Sequence, residues 1–121
     1  MAGPTELTGG AHDSLAVCAT SNGWAVVLMD HAHGWGLAWF ENTRDAENAR
    51  LSFVQHTFMG SREEESKYGV AFSQPHALVS GDIDGDGLTD VVVGKRRWAH
   101  GPQGDIEPNS PAVVYWFHLQ R

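Results

Sequence analysis

The residues best placed to do chemistry lie in one stretch, Asp82-Ile83-Asp84-Gly85-Asp86-Gly87-Leu88-Thr89-Asp90. Asp82, Asp84 and Asp86 stand at the first, third and fifth positions of a loop. Leu88 offers its backbone carbonyl at the seventh, and Asp90 closes the loop at the ninth. Alternate carboxylates on a tight turn present their oxygens from one side, as a hard cation taking about six to eight oxygens requires. Gly85 and Gly87 let the chain curl without steric cost. Carboxylates held this close repel one another unless a cation lies among them. Calcium is the expected ligand; the plainer alternative is an ordinary Asp-Gly turn between strands. A helix-flanked calcium loop would need an acidic residue at position twelve and a helix beyond it. Position twelve is Val93, inside the β run Val91-Val92-Val93-Gly94, so the loop joins strand to strand. Without a bidentate Glu, binding is expected to be weak, with Kd roughly 10⁻⁴–10⁻³ M.

Other side chains carry weaker signals. His31 and His33, beside Asp30, have the spacing of a transition-metal pair, but two ligands on a short chain read first as polar turn residues. His12 and His76 each precede a strand and could face a ligand or simply hydrogen-bond at the strand start. Trp35, Trp39, Trp98 and Trp116 could stack on sugar rings. Trp39 and Trp116 fall in strand patterns and are expected to pack between sheets, leaving Trp98, beside Lys95-Arg96-Arg97, as the better exposed contact. Cys18, flanked by Ala16, Val17 and Ala19, reads as a small buried hydrophobe. No nucleophile elbow or phosphate loop is present, and no carboxylate pair lies outside the loop, so the chain is not expected to be an enzyme.

The elements that must position these residues are short strands separated by Gly and Asp clusters. They are expected at Leu15–Thr20, Trp24–Met29, Gly36–Phe40, Leu51–Phe58, His76–Gly81, Val91–Gly94 and Ala112–Leu119. A polar connection over Met59–Gln74 holds Glu63-Glu64-Glu65, read as solvated surface. Pro102, Pro108 and Pro111, with Gly101 and Gly104, argue against helix or strand over Lys95–Pro111.

The two halves resemble each other. Ala16-Val17-Cys18-Ala19 aligns with Leu78-Val79-Ser80-Gly81, Val26-Val27-Leu28 with Val91-Val92-Val93, and Leu37-Ala38-Trp39-Phe40 with Val114-Tyr115-Trp116-Phe117. Where the second copy carries the acidic loop, the first has Thr20-Ser21-Asn22-Gly23-Trp24-Ala25-Val26-Val27, about three residues shorter on this alignment and without a carboxylate. One metal site is expected, not two. Repeated units of short antiparallel strands suggest an all-β fold of β-propeller type, about two four-stranded blades. The units are a degenerate blade over 10–60, a linker over 61–75 and a loop-bearing blade over 76–121.

The stretch from Ala77 to Gly94, with Ser80-Gly81 before the acidic loop and Val91-Val92-Val93 after it, resembles the FG-GAP/VCBS repeat of integrin-α-like propellers. The resemblance is strong over 74–121, weaker over 10–60 and absent before Gly10. It implies metal ligands at Asp82, Asp84, Asp86, Leu88 and Asp90. It also implies a secreted or surface protein whose blades serve adhesion, ligand or glycan binding, or support a neighbouring enzyme domain. Two blades are fewer than family propellers use, and the second stops after its third strand. A fragment of a longer protein is therefore favoured, with the C-terminal part of a propeller or a self-assembling unit as alternatives.

Composition bounds the partners. At 121 residues with 41% hydrophobic content, the chain can bury one modest core. The net charge of −7 argues against a nucleic-acid partner, since phosphate recognition needs clustered Lys and Arg. One cysteine gives no disulfide framework within the chain. No apolar run reaches membrane-spanning length, and the N-terminus lacks the basic and apolar regions of a signal peptide. The expected function is a calcium-stabilised module for binding or adhesion, with an unidentified protein or glycan ligand. The alternative is the non-catalytic propeller portion of a secreted lectin or carbohydrate-active enzyme.

Overall fold

The computed structural model describes residues 15–20, 23–29, 33–43 and 52–120, the first two segments through their backbone pairing. Two antiparallel sheets follow one another along the chain. The first has four strands in sequential order: β1 (Leu15–Thr20), β2 (Gly23–Met29), β3 (Leu37–Asn42) and β4 (Phe53–Met59). The second has three: β5 (Pro75–Gly81), β6 (Asp90–Lys95) and β7 (Val114–Phe117). The fold is all-β, the sheets are open, and β1 lies beside β5. Among the described residues no helix is long and apolar enough to cross a membrane.

The registers of the two sheets superpose. Val26 pairs with Phe40 and Val27 with Trp39 in the first; Val91 pairs with Phe117 and Val92 with Trp116 in the second. At the first strand the alignment read from sequence is one residue out. Leu15 pairs with Leu28 as Leu78 pairs with Val93, so Leu15 and not Ala16 corresponds to Leu78. Such a slip would exchange the two faces of a strand, and only pairing resolves it where both neighbours are small and apolar. On the corrected register Ala25 stands where the second sheet has Asp90. The connection over 19–24 then answers the loop over 82–89, a smaller difference than the sequence alignment gave.

Alternation along each strand decides which residues form the core. Leu78, Val91, Val93, Tyr115 and Phe117 of the second sheet face Leu37, Phe58 and Met59 of the first. Phe72 completes the cluster. Leu37, Met59 and Val93 have no exposed surface, and Phe58 meets Phe117 edge-on at 4.8 Å. Burying an apolar side chain of this size contributes about 1.5–3 kcal/mol. A bulge between Leu37 and Ala38 lets both Leu37 and Phe58 reach this interface.

The connection between the sheets is packed. It holds a 3-10 turn (Arg62–Glu64) and one helical turn, α1 (Glu65–Tyr68), closed by Gly69 at φ 79°. Ser61 and Glu64 form a capping box, with Glu64 accepting from the Ser61 N–H at 3.2 Å. Glu63, Glu64 and Glu65 are exposed, as expected of an acidic run. Residues 71–75 are instead buried. Ser73 and Gln74 tie the sheets together: the Gln74 N–H donates to the Gly34 carbonyl at 2.6 Å, and the Gln74 carbonyl accepts from the Arg96 N–H at 2.9 Å. Ser73 Oγ and Gln74 Nε2 both donate to the Ile106 carbonyl. Gln74 holds a left-handed conformation, φ 56°, which these bonds fix.

The long connection after β6 contains an unexpected helical turn, α2 (Gly101–Gly104). Proline is tolerated there because it sits in the first turn, where its missing N–H would have no helical partner anyway.

Candidate metal centre

Asp82 organises the loop. Its Oδ1 accepts the N–H groups of Gly85 at 2.8 Å and Asp86 at 3.1 Å, and its Oδ2 accepts that of Gly87 at 2.9 Å. Asp84 Oδ1 accepts from the Asp86 N–H and Asp86 Oδ1 from the Leu88 N–H, at 3.2 and 2.8 Å. Gly85 and Gly87 take φ of 79° and 86°, where a side chain would be strained. These bonds fold the loop so that one oxygen each of Asp82, Asp84 and Asp86 lie within 4.8 Å of one another. All three residues are exposed, and Leu88 follows them in the same turn.

Asp90 is different. It is 1% exposed at the start of β6; its Oδ2 accepts from the Ile83 N–H at 3.1 Å and its Oδ1 from the Leu119 N–H at 2.9 Å. Burial works against its charge. The Leu119 and Ile83 amides, the Trp116 indole and His118 outweigh that cost and hold its pKa below the ordinary carboxylate value. Asp90 thus pins the loop's beginning to the end of the last strand.

His118 was not singled out by sequence. Its Nε2 lies 2.7 Å from Asp84 Oδ2 and 3.4 Å from Asp86 Oδ2. With Asp84 and Asp90 it forms a second group of ligand-type atoms within 4.8 Å. Burial works against the imidazolium, but Asp84, Asp86 and Asp90 prevail and raise its pKa above the usual histidine value. The signal was present in the register: continuing past the pair Val91 and Phe117 brings His118 beside Asp90.

Residues 75–105 match the family model of the FG-GAP repeat. This segment is an FG-GAP repeat. FG-GAP repeats are propeller blades, and the two open sheets follow that plan. The repeat spans β5, the acidic loop and β6 and runs into the connection beyond, so the loop occupies the turn between the first two strands of its blade. Some FG-GAP repeats bind calcium. No curated protein gives a significant match to the chain, and no solved structure does.

The remaining candidates are placed as follows. His12 and His31 lie outside the described residues, as does the side chain of Cys18. His33 Nδ1 stands 2.6 Å from Arg96 Nη2 and 2.8 Å from His100 Nε2, so that nitrogen faces a guanidinium and a second imidazole. His76 is half-buried in β5 and makes contacts of its own. Trp35 carries Arg62 over its ring at 5.3 Å, and Trp39 stacks on His56 at 4.4 Å. Trp98 is 49% exposed, as expected, though its indole N–H is spent on the Pro108 carbonyl at 2.8 Å. Trp116 departs from expectation. It is 43% exposed and does not pack between the two sheets, because it lies on the face of the second sheet turned away from the first.

Proposed function

We propose that the FG-GAP repeat binds one calcium ion through Asp82, Asp84, Asp86, the Leu88 carbonyl and Asp90, and that the ion rigidifies a module used for binding or adhesion. The observation that carries this reading is the convergence of the Asp82, Asp84 and Asp86 oxygens on a turn already folded by their own backbone N–H groups. The donors are all oxygen, which fits a hard cation. Asp82 and Asp90 also hold the backbone, so the carboxylates are preorganised and ordering the loop costs little at the moment of binding. An ion there would supply positive charge that offsets the mutual repulsion of the acidic cluster.

The role is structural. On this reading the ion supports a blade rather than a reaction. The ligand that such a module takes is a protein or glycan of an extracellular or cell-surface setting, in keeping with the family. Thermal melting with and without calcium tests the reading. One to ten millimolar calcium should raise the midpoint, by mass action, by about 1–2 kcal/mol of stability at ten-fold excess over Kd. Asp84→Asn should abolish the rise while leaving the calcium-free midpoint within a few degrees. No rise at ten millimolar in the unsubstituted chain would remove calcium from the account.

A further inference from the structure

The two ends of the second sheet differ in charge. Gly81 pairs with Asp90 at one end, where the acidic loop sits; Gly94 pairs with Val114 at the other, where the connection over 95–113 begins. A chain of net charge −7 gathers three of its eight Lys and Arg residues there, as Lys95, Arg96 and Arg97. The carboxylates of the same connection are engaged elsewhere. Arg62 grips Glu107, and Asp105 accepts the His100 N–H at 3.0 Å. Arg96 donates to the Gln74 amide oxygen at 3.3 Å and lies beside His33 Nδ1. Among the described residues neither Arg96 nor Arg97 forms a salt bridge.

Trp98 follows these cations and is held in place. Its indole N–H donates to the Pro108 carbonyl at 2.8 Å, and the Arg97 guanidinium lies over its ring, 5.3 Å from the centroid. Its backbone takes φ 54°, a left-handed conformation that a bulky residue adopts only where its surroundings impose it. All of this fixes a ring that is 49% exposed. A ring ordered in advance loses little further freedom when a ligand covers it.

We propose that Arg96, Arg97 and Trp98 form a subsite for an anionic sugar, a uronate or sulfate-bearing unit of a polysaccharide. The inference rests on the reading of the chain as a binding module and gives that module a ligand class and a surface. Guanidinium groups without a carboxylate partner pair with carboxylate or sulfate oxygens through charge-assisted, often bidentate, hydrogen bonds. With its N–H spent on Pro108, the indole offers only its face. The C–H face of a sugar ring needs nothing more from an aromatic partner, and an acidic sugar carries that face and its anion on one rigid ring. An acidic peptide would satisfy the cations but brings no such face beside each carboxylate. The subsite lies at the end of the sheet away from the acidic loop, so calcium does not bridge to the sugar.

Calorimetric titration of the full chain with an oligogalacturonate and with a heparin oligosaccharide tests this. A neutral maltooligosaccharide and an oligoglutamate of equal charge serve as comparisons. At least one anionic sugar should bind about tenfold or more tightly than either comparison, and the two sugars separate a carboxylate preference from a sulfate preference. Arg97→Gln should weaken that binding about tenfold, as loss of a central contact does. Trp98→Gly should do the same; glycine adopts the left-handed backbone freely, so the substitution removes the ring without straining the chain. Full affinity in either variant overturns the proposal, as does the absence of binding by both anionic sugars. Oligoglutamate bound as tightly as the sugars would give the surface to an acidic peptide and also overturn it. The rise of the melting midpoint with calcium, measured on the same protein, reports on the acidic loop alone. A failure of sugar binding with that rise intact strikes this subsite and leaves the calcium reading standing.

Discussion

Leu37 and Val114 occupy the same place in two sheets of the same register, yet one is sealed in the core and the other stands in solvent. Ala25 and Asp90 likewise share a place, at the start of the second strand's pairing with the first, and only the second carries a charge there. The contrast teaches that a repeat fixes the backbone and leaves neighbours to decide each residue's work. A face is core when another sheet lies on it. A strand-to-strand turn can hold a cation only when carboxylates stand around it.

Truncation should break the comparison most sharply at its apolar pair. Leu37→Ala is expected to cost about 2–5 kcal/mol in chemical denaturation, as for a fully buried aliphatic side chain. Val114→Ala should stay within about 0.5 kcal/mol, as exposed substitutions do. Equal losses would mean that the two faces are equally covered in solution. Next is the acidic pair. Asp90→Asn keeps one acceptor oxygen but loses the charge that the Ile83 and Leu119 amides favour. Its melting midpoint should fall by several degrees, whereas Asp86→Asn in calcium-free buffer should barely move it. Hydrogen exchange at the Leu119 amide should quicken in the first variant alone.

Smaller effects attach to the braces around the second sheet. Arg62 grips Glu107 through two bonds of 3.1 and 2.7 Å, joining the intersheet connection to the loop after β6. The Arg62 hydrogen bond holds the Glu107 carboxyl below its ordinary value of 4.5. A depressed carboxylate contributes stability above its unfolded pKa and loses it as pH falls through the folded one. Arg62→Ala should therefore cost about 1 kcal/mol near neutral pH, and the gap from the unsubstituted chain should close below the ordinary glutamate range. A gap unchanged at pH 3 would assign the loss to Arg62's packing on Trp35 instead. The smallest effect is expected from His118→Ala. It frees Asp84 and Asp86 from an imidazole that competes for their oxygens and should tighten calcium binding a few-fold; weaker binding would instead make His118 a ligand.

Much of this was legible in the residues. The acidic spacing located the loop, the apolar runs located seven strands, and the recurring Trp-Phe pair revealed the repeat. What escaped depended on pairing or on distant packing. The one-residue slip between Leu15 and Ala16 hid inside a run of small apolar residues, where either phase alternates acceptably. His118 lay far along the chain from Asp84 and met it only through the register of β6 with β7. Ser73 and Gln74 read as linker because their burial comes from the Gly34, Arg96 and Ile106 backbones, which no local pattern announces. Trp116 matched Trp39 in pattern and differed in burial: Trp39 stacks on His56 of the neighbouring strand β4, whereas β7 ends its sheet among the described residues.

Calorimetric titration of calcium into metal-free protein decides whether a chain of two related sheets holds one calcium site. A single weak site per chain is expected, with Kd roughly 10⁻⁴–10⁻³ M, lost in the Asp82→Asn, Asp84→Asn, Asp86→Asn triple variant. Two sites per chain, or one that survives the triple substitution, would contradict it.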